Sequence, residues 1–260
     1  MAEFTSHPAG SPCWVDLSST DVASSVDFYS RLFGWQAEFD DRPETGGYGQ
    51  FYRNGKSVAG IGPTQGAGRP TTWNTYFATD DAGKVTESVR EADGTVVAEP
   101  MEIMGEGIMA AFQDPTGGYF GVWQPERHIG AQLANEPGTF TWCELATRDP
   151  EAAKVFYGRV FGWAVDSQLL AGGSYSTWLS GGRQVGGMMP MSEQFPPEMP
   201  AHWLVYFGTA NLDMTLAQAE GLGAMVRYGP RAIDDLGRFA VLTDPHGALF
   251  ALWEAKSDTR

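Results

Sequence analysis

Trp14-Val15-Asp16-Leu17, then Asp21, Phe28-Tyr29, Arg31 and Phe33-Gly34-Trp35, return as Trp142-Cys143-Glu144-Leu145, Asp149, Phe156-Tyr157, Arg159 and Phe161-Gly162-Trp163, all at one constant offset. A second set returns at a slightly longer constant offset: Tyr76-Phe77 as Tyr206-Phe207, Asp114-Pro115 as Asp244-Pro245, and Trp123 as Trp253. A fixed period of this kind means one structural unit built twice. It also supplies an internal comparison, because a chemical group needed by both units should stand at both aligned positions.

Working outward, Trp14–Leu17 reads as a short strand. Ser18-Ser19-Thr20-Asp21 reads as a helix cap, with Thr20 or Asp21 able to accept the first free amides. Val22, Val26, Tyr29, Leu32 and Phe33 follow at helical spacing, and Gly34 ends the helix. Three strand-like runs come next, 35–39, 48–53 and 57–62, with Asn54-Gly55 as a hairpin turn. The same order then recurs within the repeat. A strand at 72–79 precedes a helix at 82–92, and strands at 96–101, 108–112 and 119–124 follow. The spacing thus predicts an α+β chain of four βαβββ units. Residues 8–126 form the first domain, 127–138 a linker and 139–256 the second domain.

A length of 260 residues suits two domains of about 120–130 residues. The 17 basic and 32 acidic residues leave a net charge of −15, which disfavours nucleic acid and anionic membranes as partners. The start of the chain does not resemble a signal peptide, and no run approaches the ~20 apolar residues of a membrane span. Cys13 and Cys143 do not align across the repeat, since Cys13 matches Thr141. They read as small buried residues of a reducing cytoplasm, not as a disulfide or metal pair. Gly46-Gly47, Gly66-Ala67-Gly68 and Gly172-Gly173 lack the strand-to-helix setting of a phosphate loop and read as surface loops. The Asp-Pro-x-Gly turns account for Asp114 and Asp244 by turn chemistry alone.

The repeated motif Asp21…Phe28-Tyr29…Phe33-Gly34-Trp35 with Asp114-Pro115…Gly117 resembles the vicinal oxygen chelate superfamily of glyoxalase I, bleomycin-resistance proteins and extradiol dioxygenases. The resemblance covers nearly the whole chain and looks closest to tandem, two-domain members, some of which sit in antibiotic pathways. It implies cup-shaped mixed sheets, with a metal ligand drawn from each of three strand positions. Here those positions are Trp14, Asn74 and Gly121 in the first repeat and Trp142, Leu204 and Ala251 in the second. Only Asn74 carries even a weak donor, so a divalent metal is not expected. His7 and His128 lie in the tail and linker, and His246 has no counterpart in the first repeat; surface or satisfied histidines are the plain expectation. No other cofactor is implied.

The cups are expected to be apolar instead. Trp14, Asn74, Tyr76, Met109 and Trp123, with Trp142, Trp178, His202, Tyr206 and Trp253, are the candidate ligand contacts. Met101, Met104, Met188, Met189 and Met191 add adaptable apolar surface. Such stripes serve as plain core more often than as a cleft. Asp16 and Glu144 align across the repeats, two residues after the tryptophan and on the same strand face. Three roles are open to them: pairing with Arg31 or Arg159, contacting a ligand, or acid–base catalysis. The leading expectation is a metal-free protein that binds a planar aromatic or hydrophobic small molecule in antibiotic biosynthesis or self-resistance. A metal-independent hydroxylase-, cyclase- or isomerase-like enzyme is the alternative, and a metal-dependent lyase or dioxygenase the third. Fusion of the two domains replaces a homodimer interface, so a monomer or loose homodimer is expected.

Overall fold

The computed structural model describes residues 2–66, 68–170, 173–193 and 195–256. Ala67 and Gly172, read above as loop residues, lie outside that set. A short strand β1 (Ala2–Glu3) precedes the first half. That half runs β2 (Pro12–Ser19), α1 (Val22–Phe33), β3 (Gln36–Phe39), β4 (Gly49–Arg53) and β5 (Lys56–Pro63). It continues with β6 (Thr72–Ala78), α2 (Ala82–Glu91), β7 (Thr95–Ile103), β8 (Gly107–Gln113) and β9 (Tyr119–Pro125). After β10 (Leu133–Ala134), the second half repeats the order. It comprises β11 (Phe140–Thr147), α3 (Pro150–Phe161), β12 (Ala164–Leu170), β13 (Gly173–Ser180) and β14 (Arg183–Pro190). Then come β15 (His202–Gly208), α4 (Leu212–Gly221), β16 (Met225–Ile233), β17 (Gly237–Thr243) and β18 (Leu249–Ala255).

Each half is one eight-stranded mixed sheet, ordered β3-β4-β5-β2-β6-β9-β8-β7 and β12-β13-β14-β11-β15-β18-β17-β16. The two units of a half meet where β2 pairs antiparallel with β6 and where β11 pairs with β15. Local chemistry sets the ends of the elements. The Asp21 side chain accepts from Ser24 N to start α1, and Gly34 ends it in the left-handed region at φ 73°. Asn54 and Gly55 both have positive φ, 51° and 71°, as a two-residue hairpin with primed geometry requires.

Strand alternation divides each sheet into two faces. Val15 and Leu17, like Trp203, Val205 and Phe207, point into one core shared by both halves. All four helices contribute buried residues to this core, including Phe28, Val85, Phe156 and Leu212. The halves interlock through rings, with Trp73 against Phe207 at 5.0 Å and Phe77 against Trp203 at 5.1 Å. Each such ring removed from water contributes roughly 1.5–3 kcal/mol.

The Phe-Tyr motif of each first helix finds its partner in the other half. Tyr29 Oη donates to Asp244 Oδ2 (3.0 Å) and accepts from Trp73 Nε1 (2.8 Å). Reciprocally, Tyr157 Oη donates to Asp114 Oδ2 (2.8 Å) and accepts from Trp203 Nε1 (2.9 Å). Asp114 and Asp244 are therefore more than turn residues: each receives a buried hydroxyl across the junction between the halves.

The segment 127–138 is packed rather than free. Leu133 and Ala134 are buried in the shared core, and β10 pairs with β1. Gly138 O accepts from Trp35 Nε1, and the equivalent Gly10 O accepts from Trp163 Nε1, so matched carbonyls tie both connecting segments down. Among the described residues no helix is long and apolar enough to cross a membrane.

Candidate functional site

The face of each sheet turned away from the shared core forms a cup. In the first cup β2 supplies Trp14 and Asp16, β6 supplies Asn74 and Tyr76, and Tyr48 reaches in from the residue before β4. Asp16 Oδ1 accepts from Asn74 Nδ2 at 2.8 Å. Its Oδ2 accepts from Tyr76 Oη at 3.0 Å and Tyr48 Oη at 3.4 Å. Trp14 Nε1 in turn donates to Tyr48 Oη at 3.0 Å.

The second cup repeats this chain of donors. Trp142 Nε1 donates to Tyr175 Oη at 3.1 Å, and Tyr206 Oη donates to Glu144 Oε1 at 3.1 Å. Tyr175 stands close enough to Glu144 to stabilise its ionised form. A Trp–Tyr–carboxylate–Tyr cluster thus stands twice in the molecule, around Trp14 and around Trp142.

Two glycines make room for the tyrosines. A Cβ at Gly60 would lie 1.9 Å from Tyr48 Oη, and one at Gly187 would lie 1.9 Å from Tyr175 Oη. Tyr48 and Gly60 recur as Tyr175 and Gly187 with their mutual spacing unchanged. That recurrence is the signal in the sequence for these two tyrosines, which strand alternation alone does not pick out.

Electrostatically the clusters are carboxylates without cations: among the described residues no ion pair reaches Asp16 or Glu144. Arg31 pairs with Asp27 on the helix surface (3.2 Å), and Arg159 lines a separate surface cleft, so the arginine pairing considered above does not form. Burial pushes the Asp16 carboxyl upward, opposed by the hydrogen bonds from Asn74, Tyr76 and Tyr48. Burial pushes Glu144 up to about 7, opposed by Tyr175 and Tyr206. Tyr48, Tyr76, Tyr175 and Tyr206 are raised by burial and by the nearby carboxylates, so they keep their protons and act as donors.

The remaining candidates divide. Trp123 and Met109 pack beside Trp14, while Trp253 packs with Leu204, Tyr206 and Ala251. His202 begins β15 and turns its Nδ1 to Pro200 O at 2.9 Å. Trp178 is corrected: it is fully buried in the shared core, against Tyr157 and Trp163, and not in the cup. The residue of that strand that reaches the carboxylate is Tyr175. Met188 also belongs to the shared core, and Met101 is exposed. His128 and His246 are partly buried, and each has a buried Nε2 with no hydrogen-bond partner among the described residues. His128 sits edge-on to Trp14 at 4.5 Å, and burial together with His7 lowers its imidazole to about 4, hence neutral. Cys13 and Cys143 are free and buried.

A mononuclear metal does not fit these residues. Each cup offers a single carboxylate, already engaged by hydroxyl donors. Among the described residues no group of three or more His, Cys, Asp or Glu side chains could hold an ion.

Fold and duplicated cups together define a tandem member of a chelate-type enzyme and resistance-protein fold. The chain belongs to the glyoxalase/bleomycin resistance protein/dioxygenase superfamily, whose family model matches residues 13–120 and 139–252. It is 42% identical over 259 residues to CFP32 of Mycobacterium tuberculosis, provisionally named a glyoxylase, with 97% of each chain covered. It is 38% identical over 267 residues to the anthracycline biosynthesis protein DnrV of Streptomyces peucetius, covering 97% of this chain and 96% of that one. Among solved structures it is similar to the Mn(II)-bound glyoxalase of Novosphingobium aromaticivorans, with a TM-score of 0.65, 17% identity, and 96% and 83% of the two chains covered. It is also similar to the 2,3-dioxygenase LapB of Pseudomonas sp. KL28, with a TM-score of 0.66, 14% identity, and 96% and 93% covered. At these identities the two structures speak for the fold alone.

Proposed function

We propose that the protein binds a planar, largely apolar organic molecule without a metal, using a buried carboxylate as the polar anchor. One observation carries this reading: the Trp–Tyr–carboxylate–Tyr cluster is built twice, around Trp14 and Trp142, which the family resemblance aligns with a metal-ligand position. Indole and phenol faces accept planar rings, and a carboxylate flanked by hydroxyl donors accepts a ligand O–H or N–H. The likeness to anthracycline biosynthesis proteins, 38% and 37% identical, supports a polycyclic aromatic ligand in antibiotic biosynthesis or self-resistance. Titration with an anthracycline aglycone, followed by tryptophan fluorescence, tests it. Saturable quenching that weakens on Trp142→Ala is expected; no quenching at any concentration would overturn it.

A second reading is favoured by Glu144 alone. A carboxyl held near 7 has an affinity for protons matched to acid–base work at neutral pH. In that reading the protein is a metal-independent catalyst of aromatic metabolism, with Glu144 accepting a proton from a bound ring or hydroxyl. Glu144→Gln would then lower kcat of a converted substrate far more than it raises KM. Equal activity of the variant would dismiss the catalytic role.

A further inference from the structure

The two cups share their cluster but differ in access. In the first half, β2 and β5 pair only from Asp16 and Gly60 onward. Before that point the strands part, and the connecting segment fills the gap. Ala131 N donates to Cys13 O (2.8 Å), Gln132 N donates to Ser57 O (2.9 Å), and Ser57 Oγ donates to Gly130 O (3.1 Å). The approach is close enough that a Cβ at Gly130 would lie 2.4 Å from Cys13 O. The same segment lays His128 against Trp14, and Trp123 Nε1 donates to His128 O at 2.7 Å. Trp14 and Trp123 are consequently only 4% and 7% exposed.

In the second half β11 and β14 likewise pair only from Glu144 and Gly187 onward. Among the described residues nothing is seated in that parting. Thr141 and Gln184, the counterparts of Cys13 and Ser57, instead line an open cleft of about 400 Å³. Its other walls include the N-terminal arm at Phe4 and His7, Ala131 and the exposed Arg183. Trp142 forms part of the wall, and its indole nitrogen is the donor that holds Tyr175 beside Glu144. Trp142 and Trp253 are partly exposed, whereas Trp14 and Trp123 are buried.

The carboxylates differ in the same sense. Asp16 has three donors, including the Asn74 amide, whereas Leu204 occupies the aligned place in the second cup and leaves Glu144 with two phenols. From these contrasts we infer that the second half alone carries the ligand site. It is entered past Trp142 from the cleft between the N-terminal arm and β14, and it selects planar, uncharged ring systems bearing a weakly acidic hydroxyl. The first cup is the closed, structural copy. A cleft of this volume lies within the range of small-molecule sites. An acceptor carboxylate that no ion pair reaches favours a neutral donor such as a phenol or enol over an anion. This inference rests on the binding reading given above.

The test uses the full chain, with 2-hydroxyanthraquinone as the probe and 2-methoxyanthraquinone, which lacks the proton, as its control. Isothermal titration calorimetry should show one equivalent of the hydroxy compound per chain. Gln184→Trp places bulk at the exposed mouth of the cleft and should weaken binding at least ten-fold. Glu144→Gln should erase most of the preference for the hydroxy over the methoxy compound. Two equivalents per chain would overturn the inference while leaving the binding reading intact, as would one equivalent insensitive to both substitutions. No binding of either compound to the unaltered protein would overturn the binding reading itself, and this inference with it.

Discussion

Replacing Glu144 by glutamine should change how stability depends on pH, in a direction opposite to ordinary acid denaturation. Glu144 has an ordinary value of 4.5 and is pushed up to about 7 by burial, opposed by Tyr175 and Tyr206. A raised carboxyl means the folded protein keeps a proton that the unfolded chain has already released. Between pH 4.5 and about 7 the folded state therefore binds more protons, and stability falls as pH rises through that window. Below 4.5 both states are protonated, and above 7 both are ionised, so the contribution is flat on either side. At about 1.4 kcal/mol per pH unit, the interval corresponds to a loss of about 3 kcal/mol. Glutamine keeps the shape and accepts from the same phenols but does not titrate. Its own amide protons impose a fixed cost. Asp16 is also raised by burial, but it is present in both proteins and cancels in the difference. Urea unfolding from pH 4 to 8 should show the variant gaining on the parent by about 3 kcal/mol between pH 4.5 and 7. A difference that stays constant with pH would refute the assignment of a buried, proton-retaining Glu144.

Other substitutions probe the same architecture. Gly187→Ala brings a Cβ within 1.9 Å of Tyr175 Oη and should expel that phenol from Glu144. Because the Tyr175 bond holds the Glu144 value down, its carboxyl should then titrate higher by NMR, and an unchanged or lower value would count against the relay. Tyr157→Phe removes the bond to Asp114 and orphans Trp203 Nε1 in the shared core, at a cost of about 2–4 kcal/mol. A loss below about 0.5 kcal/mol in urea unfolding would show that the cross-half bonds contribute little. Elemental analysis of the purified protein should find no stoichiometric zinc, manganese or iron. One equivalent of metal, lost on Glu144→Gln, would reverse the reading of the cups.

The fold is legible because its signals are local and doubled. Asp21 and Gly34 bound a helix by capping chemistry, Asn54-Gly55 forces its own hairpin, and each feature can be checked at the aligned place in the other repeat or against the next unit. The cup is only partly legible. Trp14 and Asp16 fall on one face by simple alternation, but nothing in 173–180 fixes the phase of β13. Trp178 is therefore expected on the face that belongs to Tyr175. The recurrence of Tyr48…Gly60 as Tyr175…Gly187 sets the phase, because a glycine diagonal to a tyrosine on the next strand leaves the space its ring lies across. Burial of His128 is not legible, since the Pro- and Gly-containing connecting stretch reads as solvent-facing until its seat between β2 and β5 is seen. The bonds from Tyr29 to Asp244 and from Tyr157 to Asp114 are hidden for a different reason. The Asp-Pro-x-Gly turn already explains each aspartate, and a sequence does not show that a second donor arrives from the other half.

A buried carboxylate without a cation is costly, and stability alone would favour an apolar replacement of similar size. In the first cup the cost is offset by saturation: three donors surround Asp16, and the connecting segment closes the strand gap beside it. That arrangement suffices as structure and needs no ligand to explain it. The second cup retains the carboxyl but not the compensation. Leu204 removes the amide donor, the gap beside β11 stays open, and Trp142 stays partly exposed. An unfavourable group retained where the fold has left off its support is more simply understood as serving a partner that completes it. The duplicated chain thus carries its own control. The features common to both halves build the sheet and hold the tyrosines, and the features that differ, Glu144 with Leu204 and the unfilled cleft, mark where a ligand's hydroxyl would supply the missing donor.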